Sequence, residues 1–148
     1  MAQNNSQSVR DIMTANPSTV SEKDTIRDAA RIMADQDTGV VPVVNGKKIV
    51  GMITDRDIVV RLVAEGKDLS GASVREAMTT SVRSVRDDSS VDAVMEMMSN
   101  AQVRRVPVVD KNDELVGIVS FGDIATETNK SSKVGKAIEE ISEGRANN

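Results

Sequence analysis

Gly51-Met52-Ile53-Thr54-Asp55-Arg56-Asp57 decides how this chain folds, because it returns as Gly117-Ile118-Val119-Ser120-Phe121-Gly122-Asp123. Each copy follows an apolar pair, Ile49-Val50 or Leu115-Val116, and each is expected to open a helix. The shared pattern is glycine, two apolar residues, a hydroxyl, two variable residues and an aspartate. A strand ending in Thr or Ser, with a carboxylate three residues on, admits two readings. In one, hydroxyl and carboxylate cap the amides of a helix start. In the other, those amides attract phosphate while Asp accepts hydrogen bonds from a ribose diol. The two are compatible.

The repetition extends well beyond these residues. Aligning 9–59 with 74–125, with one residue inserted in the second copy, gives fourteen identities: Val9, Arg10, Met13, Thr14, Val20, Met33, Val41, Pro42, Val43, Val44, Val50, Gly51, Asp57 and Ile58. Chance would leave only a few, so the chain is a duplication.

Both copies follow one plan. A short extended piece (Ser18–Val20; Ser84–Val85) leads to a helix start at Asp24-Thr25 or Ser89-Ser90, where Thr25 and Asp28 fit a capping box. Apolar residues then fall at helical spacing: Ile26, Ala29, Ala30 and Met33 in one copy, Val91, Val94, Met95 and Met98 in the other. The methionines are expected to fill core. Val40-Val41-Pro42-Val43-Val44 and Val106-Pro107-Val108-Val109 are β-branched strands. Asn45-Gly46 signals a two-residue hairpin, and 110–113 is its longer counterpart. Return strands over 48–53 and 114–119 lead into a second helix, with Ile58, Leu62 and Val63, or Ile124, on its core face. Pro42 and Pro107 mark either an edge or bulge, or a broken ladder that frees backbone groups for a planar ligand.

The expected organisation is a disordered polar tail at 1–8, repeats at 9–67 and 74–127 joined by a linker at 68–73, and a polar stretch with an amphipathic helix at 128–148. Val134, Ala137, Ile138 and Ile141 share one face of that helix, which would pack on the repeats or on another subunit. A repeat of this size buries little core by itself, so the two should pack together.

Composition excludes several classes of function. The 148 residues contain no Cys and no His, which removes thiolate chemistry, disulfides, the usual general base and the commonest transition-metal ligand. Most hydrolase and oxidoreductase chemistry is thereby disfavoured. A net charge of -4 and a single aromatic, Phe121, offer nucleic acid neither attraction nor stacking, so an adenine would lie between aliphatic side chains. No apolar run nears the roughly 20 residues that span a bilayer. The polar start, Ala2 to Gln7, is unlike a signal sequence and points to the cytoplasm.

Strand–helix–strand–strand–helix written twice, each copy closing on G-h-h-[ST]-x-x-D, resembles a tandem pair of cystathionine-β-synthase (CBS) domains, a Bateman module. The markers are Met13-Thr14 and Met78-Thr79, the Val-Pro-Val-Val strands, Thr54/Asp57 and Ser120/Asp123, and the resemblance covers 9 to about 127. It implies an α/β (α+β) fold of two pseudo-symmetric β-α-β-β-α repeats packed through their sheets, often paired again into a homodimer. It also implies adenine-nucleotide clefts between the repeats. One would use Thr54 and Asp57 with Met78, Ser81, Arg83, Val103, Arg104 and Arg105. The other would use Ser120 and Asp123 with Met13, Asn16, Ser18, Thr38, Gly39 and Val40. The aspartates would hold ribose hydroxyls, the hydroxyl residues and helix amides phosphate. Arg83, Arg104, Arg105 and Arg56 answer to Ser18, Gly39, Val40 and Gly122, so a di- or triphosphate is expected to prefer the Asp57 cleft.

The leading expectation is a non-enzymatic sensor of AMP, ADP or ATP, with no prosthetic group, no metal site of its own, no membrane or nucleic-acid partner, and an unidentified protein partner. The runner-up is a structural or interaction protein whose hydroxyls merely cap helices. An enzyme using Asp55 and Asp57, or Asp87 and Asp88, to chelate Mg²⁺ with a nucleotide is the remote third.

Overall fold

The computed structural model describes residues 7–128. The expected tail before residue 7 and the C-terminal amphipathic helix lie outside the described residues. The fold is α+β, with six strands and four helices among those residues: β1 Thr14–Ala15, α1 Ile26–Gln36, β2 Val40–Asn45, β3 Lys48–Thr54, α2 Asp55–Ile58, β4 Val85–Arg86, α3 Val91–Ala101, β5 Arg105–Val109, β6 Leu115–Ser120 and α4 Phe121–Thr128. Two compact units result among these residues, one of 17–82 and one that joins 7–16 with 83–128.

In the 17–82 unit, β2 and β3 form an antiparallel hairpin. Its outer edges are met by single bridges, Val20 parallel to Val43 and Thr79 antiparallel to Met52. The second unit repeats this arrangement as a four-stranded sheet in the order β1-β6-β5-β4. There Thr14 stands opposite Ile118, and β4 runs parallel to β5 through Val85 and Val108. Each unit therefore takes its edge segment from the opening of the other repeat.

The cores follow the same exchange. Val20, Ile26, Ala29, Met33, Val41, Val43, Ile53 and Leu62 of the first repeat are buried with Ala72, Val74, Ala77 and Met78. In the other unit Val9 lies among Val91, Val94, Met95, Met98, Val106, Val108, Val119, Phe121 and Ile124. The lone aromatic is thus core. Ser8, placed by the sequence in a disordered tail, bridges Ser90.

The glycine that opens the duplicated motif explains how the edge segment fits. A Cβ on Gly51 would lie 2.7 Å from the Thr79 carbonyl oxygen, and one on Gly117 would meet the Met13 side chain and, at 2.9 Å, the Thr14 carbonyl oxygen. Only a residue without a side chain lets the edge backbone come this close.

Pro42 and Pro107 sit inside strands, opposite Met52 and Ile118, each just before a register shift, at Val43/Val44 and Val108/Val109. Pro42 presents its carbonyl to the Val20 N–H at 3.1 Å. Its hydrogen-less nitrogen faces the same edge, where it interrupts no bond to β3.

Three expectations are corrected. The hairpin turn is Gly46-Lys47, since Asn45 already pairs with Lys48. Glycine comes first with φ +65°, which suits a II′-class turn rather than the Asn-Gly turn expected. Ala30 is exposed, one step round α1 from buried Ala29. Val63 is 52% exposed. After α2 the helix widens into a π-helical turn over Val59–Val63, with Ala64 N–H bonded five residues back to the Val59 carbonyl at 2.8 Å. Leu62 stays in the core while Val63 lies outward beside Val59, four residues before it.

Candidate functional site

Each duplicated motif builds a reciprocal cap. Thr54 Oγ1 accepts from Asp57 N–H at 2.9 Å and Asp57 Oδ2 accepts from Thr54 N–H at 3.0 Å. Ser120 and Asp123 make the same pair at 3.0 and 2.9 Å. The capping reading is therefore realised in both, and each carboxylate spends one oxygen on it.

The amides expected to cradle phosphate are less free than the sequence implies. At the start of α2, Asp55 N–H donates to the Gly39 carbonyl at 3.0 Å and Arg56 N–H to Asp55 Oδ1 at 2.8 Å. With the cap, all four amides from 54 to 57 have acceptors. At α4, Phe121 N–H donates to the Arg104 carbonyl at 2.7 Å. Gly122 N–H, which answers to Arg56, has no acceptor among the described residues.

The second carboxylate oxygens also differ. Asp57 Oδ1 lies 3.4 Å from Thr79 Oγ1 and 3.8 Å from Arg61 Nε. Arg61 Nη1 in turn donates to the Met78 carbonyl at 3.0 Å. The Asp57 side chain is only 14% exposed, so a positive neighbour matters more there than on open surface. Asp123 has no ion pair among the described residues.

The 17–82 unit contains Thr54, Arg56, Asp57, Met78 and Ser81, together with Ser18, Thr38, Gly39 and Val40. Val40 stands opposite Thr54 in the hairpin. Met78 is buried, whereas Ser81 and Arg56 are exposed. Ser18 Oγ accepts from Gln36 Nε2 at 2.5 Å. The other unit contains Ser120, Asp123, Met13 and Asn16 with Arg83, Val103, Arg104 and Arg105. Arg105 stands opposite Ser120, so the two side chains share a sheet face. Asn16 has φ 52° and donates its N–H to the Val116 carbonyl at 3.1 Å. Arg83, Arg104 and Arg105 are exposed.

Sequence reasoning missed two residues. Thr79 belongs to a family marker pair with no site role expected of it, yet its hydroxyl donates to Asp57 Oδ1 at 3.4 Å. Arg61 stands four residues after Asp57, the spacing at which helical side chains meet, and that spacing could have found it.

Among the described residues no helix is long and apolar enough to cross a membrane, and no group of three or more His, Cys, Asp or Glu side chains is placed to hold a metal ion.

Two units built alike, each closing a hairpin on a Thr/Ser–Asp cap and each edged by the other repeat's opening segment, define a paired-repeat module. The family model described as "CBS domain" matches residues 9–64 and 74–130, and the chain belongs to that family. It is 40% identical over 135 residues to the CBS domain-containing protein YhcV of Bacillus subtilis, covering 91% of this chain and 95% of that one. The CBS domain pair of protein MJ0100, solved in complex with 5'-methylthioadenosine and S-adenosyl-L-methionine, is 32% identical with a TM-score of 0.73, over 84% of this chain and 98% of that one. CBSX2, solved in complex with AMP, is 26% identical with a TM-score of 0.72, over 83% and 96%.

Proposed function

We propose that this chain is a non-enzymatic regulatory module of the cytoplasm. It binds an adenine nucleotide (AMP, ADP or ATP, with or without Mg²⁺) and signals to a protein partner in trans or as a homodimer. The observation that carries this reading is the division of labour in Asp57 and Asp123. Oδ2 is committed to the cap in each, and Oδ1 is left with long contacts or none, open to a ribose hydroxyl. The adenosine-containing ligands of two structural neighbours support the choice of ligand. Val59, Val60 and Val63, 55%, 46% and 52% exposed, support self-association through the second helix of the 17–82 unit.

A second reading is favoured by the caps themselves, which are complete without a ligand: the module would then be a structural or interaction protein. Thermal unfolding separates the two. A ligand at 100 times its dissociation constant adds about 2.7 kcal/mol to stability. Stabilisation by AMP, ADP or ATP that is lost in Asp57→Asn combined with Asp123→Asn supports the sensor. No shift with any of them supports the interaction protein.

A further inference from the structure

We infer that Arg61 is a positioning residue for Asp57, and that it makes the two aspartates unequal as ligand-binding groups. The inference rests on the nucleotide reading and adds a residue to it.

Arg61 is tied at two points. One guanidinium nitrogen, Nη1, donates to the Met78 carbonyl at 3.0 Å, which anchors the group on the edge segment. Nε then stands 3.8 Å from Asp57 Oδ1. That separation is too long for a hydrogen bond, so Arg61 takes no lone pair of Oδ1, whose one side-chain donor is the Thr79 hydroxyl in a long bond. What remains is a fixed positive charge that steadies the carboxylate and holds Oδ1 on the side of Met78 and Thr79. Thr79 Oγ1, at 3.4 Å, lies on that same oxygen. The carboxylate is thus held by its cap at Oδ2 and by charge at Oδ1. A ligand hydroxyl meets an oriented acceptor and does not have to order it.

Among the described residues no cation is paired with Asp123. The residue four positions beyond it is Glu127, opposite in sign to Arg61. Among the described residues Asp123 makes its cap bonds with Ser120 and no ion pair. Asp57 should therefore bind the same ligand more tightly.

The test uses adenosine, which lacks phosphate, so that Arg61 cannot act by attracting a phosphate charge. Calorimetric titration is carried out on the full chain in two backgrounds, Asp123→Asn and Asp57→Asn, each with and without Arg61→Gln. With Asp57 as the remaining aspartate, Arg61→Gln should weaken adenosine about three- to fivefold, the size of a partly exposed charge interaction. Arg61→Lys should restore part of the loss, because it keeps the charge without the fork. With Asp123 as the remaining aspartate, Arg61→Gln should change nothing. Equal effects in both backgrounds, or none in either, overturn the inference while leaving the nucleotide reading intact. Failure of the unmutated chain to bind adenosine or AMP overturns both.

Discussion

The carbonyl oxygen of Thr79 lies 2.7 Å from the point that a side-chain carbon on Gly51 would occupy. Between these two residues the edge segment is stitched to β3 by two backbone bonds, Met52 N–H to the Thr79 carbonyl at 3.0 Å and Thr79 N–H to the Met52 carbonyl at 2.8 Å. A methyl group at residue 51 must push that backbone away, since a carbonyl cannot rotate aside. Gly51→Ala should cost about 2 kcal/mol, within the range for overpacked sites. Urea unfolding measures it, and a cost under a few tenths would mean the close approach is not needed.

The capping pairs should be felt individually. Thr54→Ala and Ser120→Ala should each lose about 1 kcal/mol, the usual worth of an N-cap hydroxyl. Thr54→Ser should lose much less, because it keeps the oxygen that accepts from Asp57 N–H. Denaturant midpoints of the three variants decide whether the hydroxyl or the side-chain bulk matters.

Adjacent residues on the widened turn should behave oppositely. Leu62 has no exposed surface, and Leu62→Ala should cost about 3 kcal/mol in lost burial and cavity. Val63 is 52% exposed, and Val63→Ala should stay within about 0.5 kcal/mol. Similar costs at both would mean that Val63 is buried in solution.

The outward valines also offer a test of self-association. Val59→Lys with Val63→Lys places two like charges on the exposed face and should drive any dimer toward monomer in sedimentation experiments. Unfolding midpoints at high dilution should change little. An assembly that survives both charges uses another surface.

Much of the local structure was legible because its causes are local. The Thr25-x-x-Asp28 signature becomes a capping box, with both hydrogen bonds at 3.1 Å. Val91, Val94, Met95 and Met98 are all buried, as their spacing requires. Other features had no local signal. Helices α1 and α3 end in left-handed residues, Asp37 at φ 52° and Gln102 at φ 55°, where a glycine would have marked the stop. The π-helical turn that carries Val63 outward is likewise set by packing. Bonding five residues back instead of four changes the periodicity by less than one residue per turn, too little to read from so short a run.

In the candidate site, the Thr/Ser–Asp pairs stood out because a hydroxyl three residues before a carboxylate is a spacing pattern. The occupied amides of Asp55 and Arg56 did not, because their acceptors depend on chain approach and rotamer. Arg61 was half visible. Its distance from Asp57 along the helix is in the sequence, but its bond to the Met78 carbonyl, seventeen residues away, is not.

By itself the chain determined that it is a duplication, roughly where each hairpin and helix lies, and which hydroxyls face which aspartates across a helix start. Those outcomes follow from periodicity, β-branching and hydrogen bonds spanning three residues. Only the tertiary structure decided that the opening segment of each repeat completes the other repeat's sheet, and that, among the described residues, Asp57 has a cation beside it while Asp123 has none. Both depend on contacts between distant parts of the chain: a glycine that admits the neighbouring Thr79 carbonyl, and a Met78 carbonyl seventeen residues away that holds the Arg61 guanidinium beside Asp57.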